Sequence, residues 1–353
     1  MISSTAKIFI PALISFVTGM LLAPVLSHYL YKYKLWKKFS VKRAFDGGET
    51  TITQAIHSDE VRKTPRMGGI LVWGSALITI LIVYLVSKLF PSDATIKLDF
   101  LSRNQTWVPL FALVITAGVG LIDDYLVTRD SGTYIGSGLS LTKRLCAVFL
   151  VALACSWWFY AKLDLSAISI PFLGQSELGI WFIPFFIIFM IGIYAGGIID
   201  GVDGLSGGVF SVMFSSYAVL AYSNNQIDLA AFCMVLVGAL VAFLWFNIPP
   251  ARFFLSETGS MALTTTLVVV AFLSDSVAVL PIIAFPLIAT AGSSLIQVLS
   301  KKFRNGKKVF LVAPLHNHFQ AKGWPPYKVT MRYWIISTMF AVAGIIIALI
   351  GQL

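Results

Sequence analysis

Residues 107–125 read WVPLFALVITAGVGLIDDY, an unbroken apolar run that ends in two adjacent carboxylates, Asp123 and Asp124. A run of this kind satisfies its backbone polar groups internally as a helix and can lie in hydrocarbon. It is short of the roughly 20 residues a crossing needs, so it must borrow flanking positions. An aspartate at a transmembrane helix centre costs about 2.5–3.5 kcal/mol. Two together at the edge of such a run therefore call for water, a cation or a basic partner to offset desolvation.

Two further acidic groups stand at the edges of apolar segments in the same way: Asp200 with Asp203 in Ile199-Asp200-Gly201-Val202-Asp203-Gly204, and Glu257 in Ser256-Glu257-Thr258-Gly259-Ser260. With 58% hydrophobic and 12% charged residues over 353 positions, the chain has too little polar surface to cover a water-soluble globule. Apolar segments near 8–30, 67–90, 107–122, 141–160, 179–199, 202–222, 227–246, 260–273, 277–299 and 331–350 give about ten crossings. None shows the alternating polarity of a barrel strand, so the expected fold is an all-α membrane protein, one helical domain over 1–353. The first segment lacks a charged start and a cleavage site and reads as a retained helix.

With ten crossings the basic residues separate sharply. One set of loops holds only Lys7, Lys88, Lys97, Arg103 and Lys162 of the 26 Lys and Arg; all others fall in the alternate set. The positive-inside rule then places the basic loops in the cytoplasm and both termini outside. Every acid named above falls on the cytoplasmic face, although that rule takes no account of acids. A net charge of +10 suits anionic headgroups and a polyanionic substrate, and no basic stripe with interleaved aromatics suggests nucleic acid. Cys146, Cys155 and Cys233 sit in apolar runs without metal-ligand spacing and read as inert core residues, with no disulfide framework.

Neighbouring residues on a helix point about 100° apart, so Asp123 and Asp124 divide labour: one faces a metal or a nucleophilic phosphate while the other holds a basic loop residue. The alternative is a solvated helix end, which the helix dipole disfavours. Around Asp200 the glycines at 196, 197, 201, 204, 207 and 208 require a break or a close backbone approach. Asp203 has an N-cap as its plain structural reading; Asp200 has none and is a ligand or metal candidate. Ser256 or Thr258 as a cap with Glu257 in the first turn is the structural alternative for that segment. Carboxylates converging from three loops suit a hard cation such as Mg²⁺, which takes oxygen ligands and leaves sites for phosphates. Phe253 and Phe254 read as core aromatics, one of them available to stack on a base. His316 and His318 are candidate acid–base groups or phosphate ligands in a basic loop, while zinc is disfavoured for want of cysteine. Lys63, Arg66, Lys143 and Arg144 are candidates to neutralise a pyrophosphate. The loop Asp124–Ser140, rich in Gly, Ser and Thr, reads as a mobile connection that either gates access or is slack.

The motifs fall in the order of a known family. Thr64-Pro65-Arg66-Met67-Gly68-Gly69, Asp123-Asp124-Tyr125, Asp200-Gly201-Val202-Asp203-Gly204-Leu205, Glu257-Thr258-Gly259-Ser260 and Ala313-Pro314-Leu315-His316-Asn317-His318-Phe319 together resemble the phospho-N-acetylmuramoyl-pentapeptide transferases, within the wider polyprenyl-phosphate N-acetylhexosamine-1-phosphate transferases. The resemblance covers nearly the whole chain. It implies ten transmembrane helices, outward termini, the bacterial inner membrane, Mg²⁺, and transfer of phospho-MurNAc-pentapeptide from UDP-MurNAc-pentapeptide to undecaprenyl phosphate with release of UMP. It further implies that the aspartate pair lies by the lipid phosphate and that Glu257 takes the place of a metal-binding aspartate. Asp200 and Asp203 lie in the uridine and metal region, Phe254 at a uracil-stacking aromatic, and His316 opens a histidine run. A homodimer is left open.

Departures from the family pattern are Gly197 and Tyr194 where asparagines are usual, Ser256-Glu257 for Gly-Asp, Asn317 within the histidine run, and Arg66 for Thr. The usual lysine of the first motif aligns with Val61, with Arg62 or Lys63 beside it. These leave open a different UDP-sugar donor or a silent scaffold. A transporter is the rival from another class, and would place ionisable residues at the midplane of broken helices in two matching halves.

Overall fold

The computed structural model describes residues 4–36, 63–101, 104–129 and 138–351. It is an all-α membrane protein. The helices are α1 (Ser4–Lys32), α2 (Gly69–Leu89), the short α3 (Asp93–Leu98), α4 (Asn104–Arg129), α5 (Leu141–Lys162), α6 (Phe182–Ala195), α7 (Leu205–Ser223), α8 (Ile227–Asn247) and α9 (Ser256–Leu273). They continue with α10 (Leu280–Ile283), α11 (Phe285–Phe303), α12 (Leu315–Ala321) and α13 (Pro326–Ile350). Among the described residues nine helical spans are long and apolar enough to cross a bilayer. A tenth is added if the pair 277–283 and 285–303, bent by 71°, is one span. That matches the expected number.

The short third segment does borrow flanking residues: α4 starts at Asn104 and runs past the carboxylate pair to Arg129, so Asp123 and Asp124 lie inside the helix. The loop between α5 and α6 is less featureless than its sequence suggests. Ala167–Ile170 pairs antiparallel with Gly174–Glu177 in a two-stranded hairpin, and the Asp275 carboxylate takes hydrogen bonds from Ser169 N–H and hydroxyl.

α9 is the central helix, and every one of its residues except Glu257 is buried. Small residues let other backbones close on its first turn. A Cβ on Gly120 of α4 would run into the Glu257 carbonyl, and one on Gly69 of α2 would run into Gly259. Thr116 of α4 and Thr265 of α9 join their hydroxyls at 2.8 Å, giving a polar contact between apolar helices. Outward faces carry Leu21, Ile188, Trp245 and Ile335, all exposed, as a lipid-facing surface requires.

The break at Ala284 has a local cause. Pro286 lacks the N–H that would continue the ladder, and its ring opposes a straight helix. Beyond it α11 has its polar side turned inward: Thr290, Ser293, Gln297 and Ser300 are buried, while Leu295, Ile296, Leu299 and Phe303 are exposed. The inward stripe holds the strap 307–315. Gln297 Oε1 accepts from Val309 N–H at 3.1 Å and Phe310 N–H at 3.0 Å, and its Nε2 donates to the Phe310 carbonyl at 2.9 Å. Ser300 donates to the Lys307 carbonyl and Ser293 accepts from Leu315 N–H.

Candidate functional site

At one end of the bundle the segment before α2 lies against the segment before α9. Phe254 N–H donates to the Pro65 carbonyl, and Gly68 N–H and Gly69 N–H donate to the carbonyls of Phe254 and Leu255. Met67 (φ 68°) and Ser256 (φ 57°), one on each segment, are both left-handed. The pairing presents Arg66 to the acids of the neighbouring helices.

Asp124 is fully buried and both its oxygens are occupied. Oδ1 accepts from Arg66 Nε at 3.0 Å; Oδ2 accepts from Thr258 N–H at 2.9 Å and Thr258 Oγ1 at 2.7 Å. Burial alone would lower the Arg66 guanidinium, but the charge of Asp124 and the bond to it, with Asp200 and Glu257 near, raise it above the ordinary arginine value. Asp123, one residue back and also buried, accepts one hydrogen bond among the described residues, from Leu139 N–H at 2.6 Å. Gly138 (φ 99°) lies so close that a Cβ there would meet the Asp123 carboxylate. Asp124 is thus the member of the pair that holds a basic loop residue, Arg66.

Asp200 accepts from Ser206 Oγ through Oδ1 and from Ser256 N–H through Oδ2, both at 2.6 Å. Burial pushes its carboxyl above the usual aspartate range, against those two hydrogen bonds and the charge of Arg66. Glu257 pairs with Arg144 Nη1 at 2.6 Å, and the buried Tyr194 lies within electrostatic reach of that pair. Residues 256–258 are therefore the common element: Asp200 holds 256, Asp124 holds 258, and Glu257 lies between. The free N–H groups of the α9 N-terminus are satisfied by carboxylates from other helices, rather than by a cap from Ser256 or Thr258, and the helix-capping alternative for this segment does not describe it.

Ser256 carries two costs. A left-handed φ on a residue with a Cβ costs about 1 kcal/mol, and its enclosed hydroxyl has no hydrogen-bond partner among the described residues, which costs about 1 kcal/mol or more.

His316 is buried with Nε2 where a Gly201 Cβ would stand, which puts it against the Asp200 turn. His318 faces its own strap: Nδ1 accepts from Leu311 N–H at 3.2 Å and the ring meets Phe310 edge-on. Burial, helped by the Lys322 charge, lowers its pKa. Asp203 is not the N-cap its sequence position suggests. Gly204 (φ 75°) precedes α7 without a side-chain cap, and the Asp203 carboxylate accepts from Ala251 N–H at 3.2 Å. Phe254 is half-buried and Lys63 exposed. Arg62, Val61 and the run 131–137 lie outside the described residues.

The donor set is one of hard oxygens with no thiol, which suits magnesium rather than a softer metal. Among the described residues no group of three or more His, Cys, Asp or Glu side chains forms a metal cage. The convergence expected from three loops is real in position, but Asp124 is committed to Arg66 and Thr258. Ser206 and Thr258, the hydroxyl partners of Asp200 and Asp124, carry no signal in the sequence, because which carboxylate a hydroxyl meets is set by the packing of the segments around it. Tyr194 was visible there only as a departure.

The family model of Glycosyl transferase family 4 matches residues 106–275, the stretch from the start of α4 to just past the end of α9. Proteins named phospho-N-acetylmuramoyl-pentapeptide-transferase resemble the chain over nearly its full length. The one from Anoxybacillus flavithermus is 31% identical over 95% of this chain and 95% of its own. Those from Chloroflexus aurantiacus and Rickettsia canadensis are 30% and 31% identical over 99% and 97% of this chain, and 92% and 91% of theirs. Carboxylates gathered on one helix end, in a membrane bundle with this likeness from end to end, place the chain in the phospho-N-acetylmuramoyl-pentapeptide-transferase family.

Proposed function

We propose that the protein transfers phospho-MurNAc-pentapeptide from UDP-MurNAc-pentapeptide to undecaprenyl phosphate, forming lipid I and UMP for peptidoglycan synthesis, at the cytoplasmic face of the bacterial inner membrane. The observation that carries this reading is the tie of Asp200 and Asp124 to the backbone on either side of Glu257, which sets acids and Arg66 from four segments around one point at a helix end. In the reaction an oxygen of the lipid phosphate attacks the phosphorus that bears the sugar. The bond from that phosphorus to the bridging oxygen breaks, and UMP leaves with the electron pair. Such transfer asks the protein mainly for positioning and charge stabilisation.

Asp123, which accepts one hydrogen bond among the described residues, is the group that takes any proton remaining on the lipid phosphate and orients it. Asp124 positions Arg66, which with Lys63 faces the negative charge of the phosphates. Asp200 and Glu257 would hold Mg²⁺, which when bound would neutralise the charge that develops on the phosphate of the departing UMP. His316, against the Asp200 turn, is a phosphate-side hydrogen-bond partner. Phe254 and Asp203 serve the uridine end and His318 the donor from the strap side.

The test is UMP release by the purified protein from UDP-MurNAc-pentapeptide and undecaprenyl phosphate, with and without Mg²⁺. Metal-dependent release is expected with this donor. Release with UDP-GlcNAc instead would change the donor and keep the chemistry; none with either would remove the enzyme reading.

A further inference from the structure

In the first turn of α9, where Glu257 is paired with Arg144 and Thr258 with Asp124, Ser256 is the residue whose hydroxyl has no hydrogen-bond partner among the described residues. It is 5% exposed, and its Oγ is enclosed without a hydrogen-bond partner among the described residues. Two residues on, the Thr258 hydroxyl shows the satisfied state by donating to Asp124. Glycine would hold the left-handed backbone of position 256 more easily, so the retained side chain points to a use for the hydroxyl.

Its neighbours decide the class of ligand. The Ser256 N–H donates to Asp200, and the next residue is Glu257. Carboxylates on both sides repel an anion and attract a cation. The N–H groups of Ser256 and Thr258, which would otherwise receive an anion at a helix start, are already held by Asp200 and Asp124. With no cage of three acidic or histidine side chains among the described residues, a hard divalent cation here must complete its shell with neutral oxygens. A serine hydroxyl is one, and it keeps a proton to donate to a phosphate oxygen.

We propose that Ser256 Oγ is a ligand of the divalent cation that Asp200 and Glu257 hold. The proposal rests on the phosphoryl-transfer reading of the site. Its test is a Mn²⁺ titration of the full chain in nanodiscs, followed by electron paramagnetic resonance, on wild type, Ser256→Ala, Ser256→Gly and Glu257→Gln, with each apo Tm measured alongside. Both serine variants are expected to bind Mn²⁺ about tenfold more weakly than wild type. Ser256→Gly should be more heat-stable than Ser256→Ala, because only glycine relieves the left-handed backbone. Serine variants that bind like wild type while Glu257→Gln loses the ion would overturn the serine ligand and leave the cation site standing. Wild type that binds no Mn²⁺, even with UDP-MurNAc-pentapeptide present, would overturn both.

Discussion

Asp123 and Asp124 are adjacent and chemically identical, and their surroundings separate them. The Asp124 carboxylate is fully buried, with Arg66 on one oxygen and Thr258 on the other. Removing its charge leaves a mostly buried guanidinium without its partner, an effect of about 3 kcal/mol. Asp124→Asn is therefore expected to lower Tm by several degrees and turnover with it. Asp123→Asn gives up little structure, since an amide oxygen still accepts from Leu139 N–H. It should keep the wild-type Tm while losing about 100-fold or more in UMP release, the scale of a lost proton-transfer group. Equal Tm losses in the two variants, or turnover retained in Asp123→Asn, would refute the division. The pair was legible in the sequence as a pair, because carboxylates at the edge of an apolar run are costly. Which of them is structural was not, because Arg66 and Thr258 lie 58 and 134 positions away.

At the scale of elements, α11 and its strap form a unit, with Gln297 as the clasp and His318 as the second fastener. The Leu311 N–H bond fixes the His318 Nδ1 as an acceptor, so the ring is neutral with its hydrogen on Nε2. Its folded pKa lies below the ordinary 6.5. A histidine of that kind takes up its proton more readily unfolded than folded, so its contribution is complete above pH 6.5 and is lost as pH falls through the lower, folded value. Hydrogen exchange at the Leu311 amide, corrected for its intrinsic pH dependence, should speed up as pH drops below 6.5. Protection unchanged down to pH 5 would count against this fastening. Gln297→Leu removes three hydrogen bonds and is expected to cost about 1–3 kcal/mol, read as lower Tm and faster exchange at Val309 and Phe310. Apolar length predicted where a helix lies here; the bend did not follow from it, since Pro286 acts through a missing N–H that hydropathy does not register. Nor does hydropathy distinguish a polar stripe facing a strap from one facing water.

The acid cluster lies at one end of the whole molecule, and the direction in which that end faces in the membrane decides whether the proposed chemistry is feasible. α2 makes the geometry concrete: it begins just after Arg66 and ends beside Lys88, about 30 Å away at 1.5 Å per residue, the thickness of a hydrocarbon core. Arg66 and Lys88 therefore belong to opposite faces. Basic residues crowd the end that holds the acids, so that end should face the cytoplasm, where a uridine nucleotide donor is found. Cysteine labelling tests this directly. Cys155 and Cys233 are buried as expected and remain, whereas Cys146, expected in the core, is exposed on the outer face of α5 and is removed first. On the Cys146→Ala background, Lys88→Cys should react with a membrane-impermeant maleimide in intact spheroplasts, and Lys307→Cys only after permeabilisation. Both positions are exposed, so the protein itself shields neither from the reagent. The opposite pattern would turn the acid cluster outward, away from the nucleotide pool, and a donor of the UDP-sugar class would no longer fit the site.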